Sequence, residues 1–534
     1  MPRTADYDVV VVGAGFAGLY AVHRLRALGF SVRVYDRAAG VGGTWYWNRY
    51  PGARCDVESL AYSYSFDPDL EREWDWTERY AAQPEILAYL NHVADRFDLR
   101  RDIQLETTVA SAAFDEAANG WVVETDPGGA VTARFVILAT GCLSDAQTPA
   151  VPGLDTFGGD CYHTAHWPHE GVDFTGKRVA VIGTGSSGIQ SIPIIAAEAA
   201  HTYVLQRTPN FSVPARNAPL DPAVLRATQA DYGELRRKIR ASPLYLPVTF
   251  EDRATMAVPE QEFRALLEER WNGGGLSLVA MYADQLLSLD AAERVGRIVK
   301  DKIRAKVDDP VTAERLIPST YPFGTKRLCL DTGYFETFNR DNVTLVDLRQ
   351  SPITGIAPSG IVTTDGTIEV DVIVFATGFD AMTGSILRIP ISGRDGLTMR
   401  DKWAGGPVTY LGLAVYGFPN LFLVTGPGSP SVLSNMVPSI EQHVDWIADC
   451  LQYLRGGGHR TIEALPSAQT EWIEHTTALV APTVLVHPSC NSWYNGGNVP
   501  GKKRMYMGYT AGLPEYRRRC DEIAAAGYEG FALG

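Results

Sequence analysis

The stretch Val9-Val-Val-Val-Gly13-Ala-Gly15-Phe-Ala-Gly18 decides how this 534-residue chain begins to fold. Four consecutive valines before the first glycine have the pattern of a parallel strand buried on both faces. The segment LYAVHRLRALG follows with helical spacing and closes on Gly29, and SVRVYD forms a second strand ending at Asp36. In this setting the three glycines have separate tasks. Gly13 permits the tight turn, Gly15 lets the backbone approach a pyrophosphate, and Gly18 allows the helix to pack against the strand. The first amides of the helix face the phosphates, and Asp36 can accept both hydroxyls of a ribose. A bare G-x-G-x-x-G would say little; with strand, helix and terminal acid in place it predicts a dinucleotide site.

The same grammar returns in KRVAVIGTGSSGIQ. A strand ends at Ile182, and Gly183, Gly185 and Gly188 take the three glycine roles before the helix-like IQSIPIIAAEAA. The next strand, TYVLQRT, ends with Arg207 and Thr208 where an NAD site would place its acid. A guanidinium there suits a 2′-phosphate by charge and by bidentate geometry, which favours NADPH over NADH. Thr184, Ser186, Ser187, Ile189 and Gln190 are expected to touch the nicotinamide cofactor through amides or short side chains. The fold expected is α/β, with two dinucleotide-binding, Rossmann-like domains.

Between the two glycine motifs lies Phe157–Pro168, FGGDCYHTAHWP, in which Phe157, Gly159, His163, Trp167 and Pro168 fit F-x-G-x-x-x-H-x-x-x-W-P. With both flanking motifs, the chain resembles the type I Baeyer–Villiger monooxygenases from Tyr7 to the terminal GYEGF, the phenylacetone and steroid monooxygenase branch above all. The resemblance implies FAD in the first site and NADPH in the second. It implies oxidation of a small-molecule ketone by O2 to an ester or lactone, through a C4a-peroxyflavin and a Criegee intermediate. GVGGTWYWNRYPGARCD, Gly40 to Asp56, resembles the second flavin-contacting segment of two-dinucleotide flavoproteins. By the resemblance, flavin contacts fall on Ala17, Thr44, Trp45, Asp56 and Tyr62, and on Val109 through its main chain near the adenine.

YPFGTKRLCLD resembles the family's GxKR motif, which makes Arg327 the active-site arginine and Lys326 a second cation for the NADP 2′-phosphate. The chemistry has a stated need for such a group. A peroxide anion in a low-dielectric pocket is costly unless a fixed cation faces it, and arginine does not lose its charge. Asp56 is expected to orient that guanidinium and Arg54 to help bind the nicotinamide cofactor. Met436, in FPNLFLVTGPGSPSVLSNM, is placed at the flavin ring and Val437 at the substrate pocket. Trp493 matches an NADP-contacting tryptophan in SWYNGGNVPGKKR, a segment with the composition of a mobile loop. His163 and Trp167 are expected to couple domain motion to chemistry, and His443 to be packed.

The expected division is an FAD domain over residues 1–145 and 384–534, and an NADP domain over 146–212 and 323–383. A helical insertion, 213–322, interrupts the second. Its segments PAVLRATQADYGELRRKIRAS, EQEFRALLEERW and AAERVGRIVKDKIRAKV read as amphipathic helices with mostly solvated charges.

A formal net charge of −14 argues against a phosphate-backbone partner, so no nucleic acid is expected. Seven scattered cysteines without a C-x-x-C pair fit a reducing cytosol and give no metal-site spacing. They also argue against a disulfide reductase of similar architecture. A short polar tail before the first strand, and no run of eighteen apolar residues, point to a cytoplasmic protein with no membrane partner. Two other functions share these motifs: a flavin-dependent N- or S-oxygenase, and a catalytically silent flavoprotein that binds or senses redox state. Oligomeric state and the natural ketone stay open at this level.

Overall fold

The computed structural model describes residues 5–534; the polar tail at residues 1–4 lies outside them. Strand β1 (Tyr7–Val12) sends Val9 and Val11 into one core, with the buried face of helix α1 (Phe16–Ala27), and Val10 and Val12 into a second core on the opposite side. That two-sided burial is why the run is all valine rather than alternating. Strand β2 (Val32–Tyr35) pairs with β1 in parallel on one edge and β3 (Gly129–Leu138) does so on the other. The first half of β3 also closes an antiparallel meander with Thr108–Asp115 and Gly120–Asp126, within an eight-stranded sheet.

The second unit is built from β4 (Asp160–His163), β5 (Arg178–Ile182), α2 (Ser186–Glu198), β6 (His201–Gln206), β7 (Val343–Asp347) and β8 (Val372–Phe375). Its strands are all parallel, in the order β7-β6-β5-β8-β4. Val179 and Val181 of β5 face one core and Ala180 and Ile182 another, repeating the logic of β1. The linker motif is therefore partly a strand: DCYH forms the edge of this sheet beside β8. Arg207 and Thr208 lie just past the end of β6 rather than within it.

Ser212–Pro214 and Cys329–Asp331 pair as a parallel ribbon, and the helical segments lie between them. The first of those segments divides into Pro222–Ala230 and Tyr232–Ala241, where the Asp231 side chain caps the second helix by accepting from the Glu234 N–H. Two charges of the helical insertion depart from the solvated reading. Arg236 is buried, donating from Nε to Glu71 at 2.7 Å and from Nη2 to the Tyr64 carbonyl at 3.0 Å. Arg294 is buried too, against the Val258 carbonyl and Glu260.

The chain then returns to the first unit. Strand β9 (Leu421–Leu423) pairs in parallel with Val136–Leu138 of β3, and helix α3 (Met436–Gly457) packs on α1. Tyr20 and Arg24 of α1 reach Asp445 of α3 at 2.8 and 3.1 Å. The two connectors between the units run antiparallel: Gln147 N–H donates to the Gly378 carbonyl at 2.9 Å and Asp380 N–H to the Asp145 carbonyl at 2.8 Å. Among the described residues no helix is long and apolar enough to cross a membrane.

Candidate active site

Between the two units lies a cavity of about 1120 Å³, above the roughly 300–1,000 Å³ of a pocket for one small ligand. The β1–α1 turn opens into it from one side and the β5–α2 turn from the other. The two turns are near copies. Gly13 and Gly183 have φ of +108° and +109°, and a Cβ added at Gly18 or Gly188 would fall on the carbonyl oxygen of Gly13 or Gly183. Gly18 and Gly188 therefore set the helix against the strand and do not line the cavity.

Neither α1 nor α2 has a side-chain cap or an acid in its first turn. Elsewhere Asp67, Asp221, Asp231, Ser288, Asp309 and Asn435 cap their helices. Free N–H groups at a helix start carry partial positive charge, so two uncapped starts facing one cavity fit two anionic dinucleotides. Gly13, Gly15 and Ala17 line the cavity at one turn, and Gly183, Thr184, Gly185, Ser186 and Ser187 at the other. Ile189 departs from expectation: its side chain is buried in the second core and its N–H is already donated to the Gly185 carbonyl. Asp36 sits at the end of β2 with its carboxylate accepting from Ala14 N–H at 2.6 Å and Ala38 N–H at 2.8 Å. Burial raises its pKa against the pull of those amides.

Arg207 and Thr208 line the cavity with Lys326. The Lys326 ammonium lies 4.2 Å from the centre of the Tyr321 ring. Burial lowers its pKa, with repulsion from Arg207 in the same direction. Two neighbouring cations without a paired carboxylate form a place for an anion. Asn210, which the sequence reading missed, ties this corner to the turn by donating to the Thr184 carbonyl at 2.6 Å.

Arg327 is fixed on three sides. Nε and Nη2 each donate to Asp56 at 2.7 Å, a bidentate pair, and Nη1 donates to the Val432 carbonyl at 2.8 Å. Burial works against the charge, but Asp56 outweighs it and the guanidinium pKa stands well above its ordinary value, with Tyr494 contributing. Both Arg327 and Asp56 line the cavity. With Tyr494 also in reach of the guanidinium, at least one of its five N–H groups is left for another acceptor.

Thr44, Trp45, Arg54, Tyr62, Val109, Met436 and Trp493 also line the cavity, from five separate stretches of chain. Trp45 donates from its indole N–H to the Tyr62 hydroxyl at 3.1 Å. Arg54 is held by Glu78 at 2.7 Å and the Tyr80 carbonyl at 2.9 Å. Val437 is corrected: helical phase turns it fully into the first core, away from the cavity. His443 is packed, accepting from the Thr425 N–H at 2.9 Å, with burial depressing its pKa to about 3. Thr425 and Ser431, with φ of +56° and +42°, lie in the loop that leads to Val432. Strained backbone of this kind collects at functional sites.

The pyridine nucleotide-disulphide oxidoreductase family matches residues 10–232. The acetone monooxygenase (methyl acetate-forming) of Gordonia sp. (strain TY-5) is 44% identical over 533 residues, covering 99% of each chain. A Baeyer–Villiger monooxygenase of Pseudooceanicola batsensis is 41% identical over 531 residues, covering 98% of this chain and 96% of its own. A solved structure of oxidized steroid monooxygenase bound to NADP matches with a TM-score of 0.94 and 54% identity, covering 99% of each chain. The chain belongs to the type I Baeyer–Villiger monooxygenases.

In this Baeyer–Villiger monooxygenase the linker motif reaches both connectors. His163 at the end of β4 accepts the Ala165 N–H on Nδ1 at 3.0 Å, so Nε2 carries the proton. Nε2 faces the Gln147 carbonyl at 3.3 Å and the Thr377 hydroxyl at 3.2 Å, one partner from each connector. Trp167 is buried in the second core. The seven cysteines are all unpaired in the structure.

Proposed function

We propose that this enzyme oxidises ketones to esters or lactones with NADPH and O2, holding FAD at the Gly13–Gly18 turn and NADPH at the Gly183–Gln190 turn. The observation that carries the reading is Arg327, clamped by Asp56 inside the cavity into which both turns open. Bound FAD supplies the redox centre that takes hydride from NADPH and activates dioxygen. The protein's part is binding, orientation and charge. The free amides of α1 and α2 hold the two pyrophosphates, Asp36 accepts from the ribose of the AMP half of FAD, and Arg207 with Lys326 takes the 2′-phosphate. Ala17, Thr44, Trp45, Tyr62, Val109 and Met436 wall the flavin; Thr184, Ser186, Ser187, Thr208, Arg54 and Trp493 wall the nicotinamide cofactor. The spare donor of Arg327 faces the negative charge that builds on the attacked carbonyl oxygen, and Asp56 keeps that cation in place without neutralising it.

The chain divides, in this reading, near residues 145 and 383, where the antiparallel connectors cross, with the helical insertion within the NADP domain. Unpaired cysteines fit a cytoplasmic site of action. Trp167-Pro168 at the end of the linker motif favours ketones over the N- or S-oxygenase reading, and an intact Arg327–Asp56 pair weighs against a silent module. FAD-loaded enzyme with NADPH and a ketone panel (acetone, phenylacetone, cyclohexanone, cyclododecanone, progesterone) tests this directly. Ketone-stimulated NADPH oxidation should give a product one oxygen atom heavier; peroxide alone with every ketone would overturn the substrate class.

A further inference from the structure

Tyr50-Pro51-Gly52-Ala53 is a turn closed by the Ala53 N–H on the Tyr50 carbonyl at 3.0 Å, with Gly52 at φ +81°. Proline followed by a glycine of positive φ is the type II pattern, so this shape is written locally. The turn belongs by sequence to the flavin segment, and its next link is there too: Gln83 N–H donates to the Ala53 carbonyl at 2.8 Å. Its side chains go elsewhere. Tyr50 and Ala53 are buried in the core of the other unit, beside Ile189 and Ile192 of α2.

The contact is specific. The Tyr50 hydroxyl donates to Gln190 Oε1 at 2.8 Å, and Gln190 Nε2 donates back to the Arg54 carbonyl at 3.2 Å. A Cβ at Gly52 would fall on the Gln190 carbonyl oxygen, so backbone meets backbone at the same place. The Gln190 side chain, expected to touch the nicotinamide cofactor, lines the cavity and also bonds across to the opposite unit. Burial lifts the Tyr50 pKa to about 12, which keeps the hydroxyl a donor at any working pH.

We infer that Tyr50 and Gln190 are a positioning pair, a clasp that sets the nicotinamide-cofactor turn against the flavin unit and so fixes how one cofactor seat addresses the other. The inference rests on the reading of Gly183–Gln190 as the NADPH seat. Neither residue is assigned a chemical step. A displacement of about 1 Å between reacting groups can cost a hundredfold in rate, so one buried contact at the seam is enough to matter.

Tyr50→Phe, Gln190→Leu and the double variant, each FAD-loaded, test the clasp, with Arg207→Ala as control. Each single variant should lower the limiting rate of anaerobic flavin reduction by NADPH about tenfold or more, and in Tyr50→Phe NADPH affinity should change less than about threefold. The double variant should be no worse than the worse single, because both remove one contact. Hydrogen exchange without nucleotide supplies a second readout: Tyr50→Phe should raise exchange in the first turn of α2, and Gln190→Leu in residues 50–56. Additive rate losses, or exchange confined to the mutated unit, would overturn the clasp. If Arg207→Ala leaves NADPH affinity unchanged, the seat itself is misread and the clasp falls with it; if that control weakens NADPH as expected while reduction in Tyr50→Phe is normal, the clasp alone is wrong.

Discussion

At the scale of single residues the site depends on charges that are held rather than merely present. Arg327 spends three N–H groups on Asp56 and Val432, which fixes the remaining donors in space. Arg327→Ala should abolish ketone oxygenation while flavin reduction by NADPH stays within about threefold, the pattern of a group needed only after reduction. Arg327→Lys should be nearly as inactive, since an ammonium cannot reproduce the planar fork. Stopped-flow reduction alongside product analysis separates the two half-reactions, and oxygenation surviving in Arg327→Ala would sink the assignment. Lys326 gives a pH signature. In the proposed role its charged form binds the anion, and burial holds its pKa below the ordinary lysine value of about 10.4. Affinity for NADP⁺ should therefore fall as pH rises through that lowered pKa, earlier than an ordinary lysine would allow. Lys326→Arg should remove this alkaline limb in a calorimetric titration; identical profiles for the two proteins would count against the role.

At the scale of elements, the informative feature is what α1 and α2 lack. Helices such as Pro68–Glu73 and Pro310–Leu316 cap their first amides with an aspartate, whereas these two have no side-chain cap and open onto the cavity. The glycine spacing exists to bring each helix start close to its strand, and the crowding of Gly18 on Gly13 and Gly188 on Gly183 shows how little room is left. Gly188→Ala should destabilise the second unit by about 1–3 kcal/mol and cost NADP⁺ binding while the protein still purifies with flavin. Gly18→Ala should have the reverse outcome and emerge without flavin. Absorbance of bound flavin and an NADP⁺ titration read both; flavin loss from Gly188→Ala with NADP⁺ binding intact would reverse the two seats. These glycine roles were legible in sequence because each one is settled within a few residues of its own turn. The strand Asp160–His163 was not, since DCYH has neither the length nor the apolar run of a buried strand and becomes one only by pairing with β8.

At the scale of the molecule, everything converges on the seam between the two units. His163 touches both connectors, and Lys502 of the C-terminal segment pairs with Asp380 on the second one, while Asn498 donates to the Phe379 carbonyl at 2.8 Å. The segment that carries Trp493 is thereby tied to the crossover. Lys502→Met should release it: trypsin should cut after Lys503 or Arg504 several-fold faster than in the parent enzyme, a gain expected when a local anchor worth about 1–2 kcal/mol is lost. Unchanged cleavage would show that the pair does not anchor the segment.

The sequence by itself determined the two nucleotide turns, the preference for a 2′-phosphate, the pairing of Asp56 with Arg327, and the family. The turns and the phosphate preference followed from short-range rules, whereas the family and the Asp56–Arg327 pairing came from the resemblance of the chain's motifs. Only the tertiary structure decided that Ile189 and Val437 face cores, that Arg236 and Arg294 are buried charges, that Gln190 clasps Tyr50, and that Val432 supplies the third anchor of Arg327. The reason is physical. A glycine's φ or a helix start is constrained by its neighbours in the chain, whereas the partner of a buried polar group is chosen by which distant segments come together, and spacing carries no record of that choice.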